Sequence, residues 1–94
     1  MYELYIKPYA DKIFKKMSKK EKDTLQIIND KINEIKDNPI HEYKFLHSPL
    51  QGFNRVHIKR NFVLIFKIIH SEKKVEIWTY EHHDDVYKGN WLNQ

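Results

Sequence analysis

No cysteine occurs in the chain, which excludes disulfides and thiolate metal sites and fits a reducing compartment such as the cytoplasm. Glycine and proline number only two and three, and no linker, internal repeat or low-complexity tract interrupts the sequence. No apolar run approaches the length of a membrane span, and the first residues lack the charged-then-apolar layout of a secretion signal. The expectation is therefore a cytoplasmic protein with no membrane partner. Neither sign of charge dominates: 17 basic residues face 13 acidic ones, a net charge of +4. A surplus that small is compatible with a polyanionic partner but does not demand one.

What remains is enough for one domain spanning residues 1–94. A chain of this size buries a little over ~60% of its unfolded surface. An aromatic content of 14% argues against disorder. Histidine is the less expected feature, with six residues at positions 41, 47, 57, 70, 82 and 83. Imidazoles titrate near physiological pH, so each can donate or accept a proton.

The pattern of residues 2–7, YELYIK, sets Tyr2, Leu4 and Ile6 against Glu3, Tyr5 and Lys7, which predicts a half-buried strand. Pro8 suits the first turn of a helix, where a missing N–H is harmless. Tyr9, Ile13 and Met17 then give that helix an apolar face. A break is expected over residues 17–22, with Ser18 and Glu21 forming a capping box for the next helix. That helix carries Leu25, Ile28, Ile32 and Ile35 on one stripe and ends near Asp37, before Pro39. Residues 37–53 show no periodicity and read as a long loop, a common place for function.

Three strands follow. Residues 55–59 place Arg55, His57 and Lys59 on one face and Val56 and Ile58 on the other. Residues 62–70 are almost continuously apolar, as in a central strand covered on both sides. Residues 73–81 alternate Val75, Ile77 and Thr79 with Glu76, Trp78 and Tyr80. Short polar connections predict an antiparallel meander. The order is β-α-α-β-β-β with a short C-terminal turn: an α+β fold, mainly antiparallel, with a helical hairpin packed on one face.

The last strand runs into EHHDD at residues 81–85. Three readings compete: a metal site, a general acid and base, or polar surface. Adjacent histidines on a continuing strand point to opposite sides, so one of the pair is expected to serve structure or solvent. The four donors lack the i, i+4 helical spacing that aims ligands together, so no metal is expected. Asp85 is expected to cap the terminal turn. His41 and His70 read as surface residues, and Tyr5, Trp78 and Tyr80 as core or sheet cover. The lysines at 15, 16, 19, 20 and 22 read as a solvated helix end.

YKFLHSPLQGFNRVHIKRNFVLIFKI (43–68) and HHDDVYK (82–88) resemble motifs of the RelE/ParE toxin superfamily, most closely its YafQ-like branch. The branch carries a histidine before a PLQG-like turn, then an arginine, a strand histidine and an Asp-aromatic-aliphatic run. The superfamily ends in a His-Arg-x-Asp-Val-Tyr-Arg pattern. The resemblance implies a RelE-like fold and an endoribonuclease that cuts mRNA on the ribosome, needs no cofactor and is silenced by an antitoxin in a hetero-oligomer. By position it implies catalytic roles for His57, His83 and Tyr87. His47 approximates the loop histidine, one residue out of register because Ser48 intervenes. Asn61 stands where the branch has a catalytic aspartate, and an amide cannot accept that proton. Val63 stands where RelE proper has a phosphate-binding arginine, and His83 replaces the arginine of the terminal motif.

Metal-free RNA cleavage requires a base at the 2′-OH, an acid at the departing 5′ oxygen and cations beside the phosphorane. His57 and His83 are the expected pair, in either assignment. Arg55, Lys59 and Arg60 are expected on phosphates, with Asn61, Phe62 and Lys88 in the RNA-binding set. Tyr87, Phe62 or Trp78 would stack on a base. The competing expectation is a non-catalytic ParE-like toxin that blocks a protein target such as DNA gyrase, since fold alone does not fix function.

Overall fold

In the computed structural model, which describes residues 2–94, the chain runs β1 (Glu3–Ile6), α1 (Pro8–Lys20), α2 (Lys22–Asp37), β2 (Asn54–Ile58), β3 (Phe62–Ile69) and β4 (Lys74–His82). Short 3-10 turns follow β3 at His70–Glu72 and β4 at Val86–Lys88. This is the element order the sequence predicts. The described strands form one sheet in the order β1-β4-β3-β2. The last three strands make the expected antiparallel meander, and β1 joins the edge parallel to β4. The two most apolar strands are therefore central, and Val63 through Phe66 are all buried.

Both helices lie on one face. α1 contributes Ala10, Phe14 and Met17 and α2 contributes Ile28, Ile32 and Ile35, all packed with Ile58, Leu64, Phe66, Val75, Ile77 and Tyr80. Tyr9 departs from the predicted helix face and packs with the cluster on the other side of the sheet. The predicted capping box does not form. Buried Phe14 and Met17 anchor the last turns of α1, which runs on to Lys20. Ser18 therefore sits inside that helix, where its Oγ donates to the Lys15 carbonyl at 2.6 Å. Glu21 alone separates the helices, and its side chain makes no capping bond.

Pairing between β3 and β4 is interrupted once. Ile65 pairs with Thr79 and the next residue, Phe66, pairs with Ile77, so Trp78 is an extra residue in β4. Such a bulge reverses the parity of every later side chain. Val75 and Ile77 face the helices, but beyond the bulge Tyr80, predicted on the opposite face from them, joins them there. The predicted alternation for β4 therefore holds only in its first half.

The other sheet face is covered by chain that carries no regular secondary structure in sequence. Loop residues Leu46, Leu50 and Phe53 and tail residues Val86 and Trp91 pack on Val63 and Ile65. The loop is held by backbone bonds from Leu46 N–H to the Phe53 carbonyl and from Arg55 N–H to the Lys44 carbonyl, both 2.9 Å. Trp91, only 1% exposed, lies edge-on to Phe53, and its Nε1–H donates to the Val86 carbonyl at 3.0 Å. Gly89 allows the tail to turn at φ +71°, where a side chain would also meet Leu92 Cδ1 at 2.9 Å. Gln94 closes the tail, accepting from Tyr9 N–H at 2.8 Å and donating to the Trp78 carbonyl at 3.0 Å.

Two outcomes follow from this packing. Trp91→Ala should cost about 3–5 kcal/mol in urea denaturation, the range for removing a large buried ring; a loss near zero would mean that the tail is dispensable. Burial raises the Tyr80 phenol above its ordinary value, with the charge of Glu21 adding to the effect. A phenol more reluctant to ionise when folded favours the fold below the unfolded value of ~10, and that benefit is lost as pH climbs through the folded value. Tyr80→Phe should therefore flatten the alkaline fall in stability, measured by denaturation at stepped pH.

Candidate active site

β2 supplies the first two side chains of the site. Arg55 stands opposite Ile65 and His57 opposite Val63, on the sheet face away from the helices. The next contribution depends on the bulge in β4. With parity reversed, His82 falls beside Phe62 on the helix side, ring edge to ring face at 5.3 Å. His83 falls on the side of His57, and its N–H donates to the Asn61 carbonyl at 2.9 Å. The Val86–Lys88 turn, anchored by buried Val86, then directs Tyr87 toward the loop. There Tyr87 Oη accepts the His47 N–H at 2.7 Å.

These elements enclose a cleft of about 330 Å³. His47, Arg55, His57, Arg60, His83 and Tyr87 line it above an apolar floor of Leu46, Val63 and Val86. The structure thus brings together both histidines of the expected pair, the loop histidine, two guanidinium groups and a phenol. The apolar floor was not singled out in the sequence; Val63, noted only as the missing arginine, proves to be part of it. The arrangement sets groups able to exchange protons and groups able to bind an anion above an apolar floor.

Four expected site residues lie elsewhere. Lys59 adopts φ +58° just past β2, which turns it to the helix side, and its Nζ donates to Thr24 Oγ1 at 2.7 Å. It borders a separate basic cleft with Lys19, Lys20 and Lys22. Phe62 keeps the parity of Leu64 and Phe66 and stacks on Tyr80 at 5.1 Å. Asn61 contributes its backbone carbonyl to His83, a role indifferent to its side chain. Lys88 Nζ lies 2.9 Å from Asp85 Oδ1, and this contact holds the Asp85 carboxyl below the usual range and raises the Lys88 ammonium. Asp85 precedes the turn as expected, yet its side chain makes no capping bond.

The expectation that His82 and His83 point to opposite sides applied to a continuing strand; β4 ends at His82, and although only His83 lines the cleft, the two rings stack with centroids 4.6 Å apart and planes inclined by 26°. Both approach Asp84: His83 Nδ1 is 3.0 Å from Oδ1 and His82 Nδ1 is 3.5 Å from Oδ2. Glu81, opposite Val63, accepts from Thr79 Oγ1 at 2.5 Å. Burial pushes its carboxyl above the usual range, opposed in part by the Thr79 hydroxyl.

Trp78 is not a free stacking surface, because Lys7 Nζ sits 4.5 Å from its ring centre and Lys67 Nζ 5.5 Å. Tyr5 is exposed on the edge strand, with Lys74 Nζ 5.0 Å from its ring centre. His41 and His70 are exposed and border a larger cleft of about 710 Å³. Size does not make that cleft the site of chemistry: Pro39, Ile40 and Phe45 line it, and it holds no guanidinium group.

No family model matches the chain. It is 47% identical over 92 residues to a protein of Methanocaldococcus jannaschii named "Putative toxin RelE4", covering 98% of this chain and 97% of that one. Among solved structures, a YoeB/ParE toxin from Agrobacterium tumefaciens superposes with a TM-score of 0.76 at 15% identity, covering 86% of this chain and 98% of that chain. The isolated RelE toxin of E. coli superposes with a TM-score of 0.71 at 16% identity, covering 94% and 97%. A YoeB–YefM complex from Staphylococcus aureus matches at 0.73 and 18%, covering 88% and 98%. The chain belongs to the RelE/ParE toxin superfamily, as its two motifs and its α+β fold imply.

The bond between loop and tail is open to test. Tyr87→Phe removes the acceptor of the His47 N–H, so stability should fall by about 0.5–1.5 kcal/mol. Amide exchange at His47 should quicken, as NMR would register; unchanged exchange would show that the loop is held by its apolar contacts alone.

Proposed function

We propose that the chain is the toxin of a toxin–antitoxin pair and acts in the cytoplasm as a metal-independent endoribonuclease on ribosome-bound mRNA. The convergence of His57 and His83 with Arg55 and Arg60 in one cleft is the observation that carries this reading. One imidazole takes the proton of the 2′-OH, whose oxygen attacks the adjacent phosphorus. As the bond from phosphorus to the 5′ oxygen breaks, the other imidazolium protonates that oxygen. The products are a 2′,3′-cyclic phosphate and a 5′-hydroxyl. Arg55 and Arg60 bear the charge that grows on the phosphorane, where preorganised cations act most strongly. Tyr87 offers its ring for a base and its hydroxyl to the loop. His47 lines the cleft, held by its backbone N–H on Tyr87 rather than by a bond to either histidine of the pair.

The antitoxin is proposed as partner on the strength of the family and of the heterotetrameric YoeB–YefM toxin–antitoxin complex of Staphylococcus aureus, which has a similar fold. A ribosomal site is consistent with the exposed lysines at 15, 16, 19, 20 and 22. Among the described residues no helix is long and apolar enough to cross a membrane.

His57→Ala and His83→Ala should each slow transcript cleavage by about 10²–10⁴ while leaving the circular dichroism spectrum unchanged. Cleavage is expected to survive EDTA. On induction, new 5′ ends should appear only in transcripts under translation, read at nucleotide resolution. Intact transcripts accompanied by double-strand DNA breaks would replace this reading with gyrase inhibition.

A further inference from the structure

His82, His83 and Asp84 are three consecutive residues, and each presents a ligand atom into the same small volume at the rim of the cleft. One donor atom from each lies within 4.8 Å of the others. The spacing is informative. Zinc held by imidazole nitrogen and carboxylate oxygen at ~2.0–2.1 Å places the donors of a tetrahedron about 3.4 Å apart. The separations of 3.0 Å from His83 Nδ1 to Asp84 Oδ1 and 3.5 Å from His82 Nδ1 to Asp84 Oδ2 lie on either side of that value. The two contacts use different oxygens of Asp84 and the three donors lie within 4.8 Å of one another, so closing on one ion requires rotations of these solvent-open side chains.

The backbone beneath the three residues is tied on several sides. His82 pairs with Phe62 in the sheet, His83 N–H is bound to the Asn61 carbonyl, and Asp85 N–H returns to the His82 carbonyl at 2.9 Å. Asp84 N–H also points at His82 Nδ1, at 3.2 Å. An ion bound at His82 Nδ1 would take the place of that N–H as the partner of the ring nitrogen. The side chains remain open to solvent: His83 and Asp84 are exposed and His82 is half-buried. An incoming ion has access, and water can complete its coordination. Two imidazole nitrogens and one carboxylate oxygen are a donor set suited to zinc and its neighbours among the transition metals, not to magnesium or calcium.

We propose that His82, His83 and Asp84 form a transition-metal site of the zinc class, and that its occupancy switches off the adjacent cleft. The inhibitory half rests on the acid–base role given to His83 above; the binding half does not. A metal on His83 Nδ1 fixes the ring and prevents it from taking up a second proton, so the imidazole can no longer cycle between base and acid. His82, which has no part in the cleft, thus becomes the residue that separates regulation from catalysis.

The full chain, stripped of metal with a chelator, is titrated with zinc by calorimetry and with cobalt by visible absorption. One saturable site is expected, with a cobalt spectrum of low-coordinate nitrogen and oxygen ligation. His82→Ala and Asp84→Asn should each weaken zinc binding more than about tenfold, and His41→Ala should leave it unchanged. In the cleavage assay zinc should inhibit the wild type, EDTA should restore it, and His82→Ala should cleave normally and resist zinc. Absence of saturable binding, or wild-type affinity in His82→Ala, overturns the site. Binding lost in His82→Ala while zinc leaves wild-type cleavage untouched overturns the switch. Absence of cleavage in the metal-free wild type would count against the nuclease reading alone, because calorimetry decides the site independently.

Discussion

A single extra residue in β4 decides which chemistry reaches the cleft. Trp78 has no counterpart on β3, so the chain beyond it is turned over relative to strict alternation. Without the bulge, His82 would share the face of His57, and Tyr80 would leave the core beneath the helices. With it, Tyr80 completes that core and His83 lines the cleft with Arg55 and His57 of β2. The constraint is a strong one because a strand has a period of two: a one-residue change leaves no intermediate arrangement. Trp78 itself is accommodated on the face away from the helices, where it meets Phe53 and Trp91 edge-on.

The same face shows how a small sheet can be buried on both sides with only two helices. One side is roofed by α1 and α2, the other by an irregular loop and an irregular tail joined through Phe53, Val86 and Trp91. Irregular chain over a sheet must satisfy its own backbone. Here it does so by pairing with β2 at Asn54 and Arg55 and by side-chain bonds from Trp91 and Gln94. The cleft opens where that roof stops. Its floor is the edge of the second core, and its walls are polar residues that the roof does not cover. Core and cleft therefore meet at Leu46, Val63 and Val86, which belong to both.

Charge is sorted by the same geometry. Lys59 and Lys88 are drawn away from the cleft by Thr24 and Asp85, whereas Arg55 and Arg60 remain in it. The cations left beside the histidines are those whose planar fork matches a phosphate. At the rim, Asp84 approaches Nδ1 of both stacked imidazoles, at 3.0 Å for His83 and 3.5 Å for His82.

Much of this was legible in the sequence. The strand and helix order, the stripe at Ile28, Ile32 and Ile35, the covered central strand and the meander all follow from hydrophobic period and short polar turns, which are local properties. The residues of the cleft were legible as types: histidines and arginines at the right places in two motifs. Their assembly was not. Lys59 belonged with His57 by alternation, and only the left-handed turn after β2 sent it to the helices. Ser18 and Glu21 matched a helix start, but burial of Phe14 and Met17 kept α1 going past them. The bulge at Trp78 leaves no mark in the hydrophobic pattern, because both of its neighbours are compatible with either face. Local sequence thus determined what each segment is and which reactive groups it carries. Which of those groups share a cleft was decided by strand register and by the packing of loop and tail, contacts between residues far apart in the chain that no local period records.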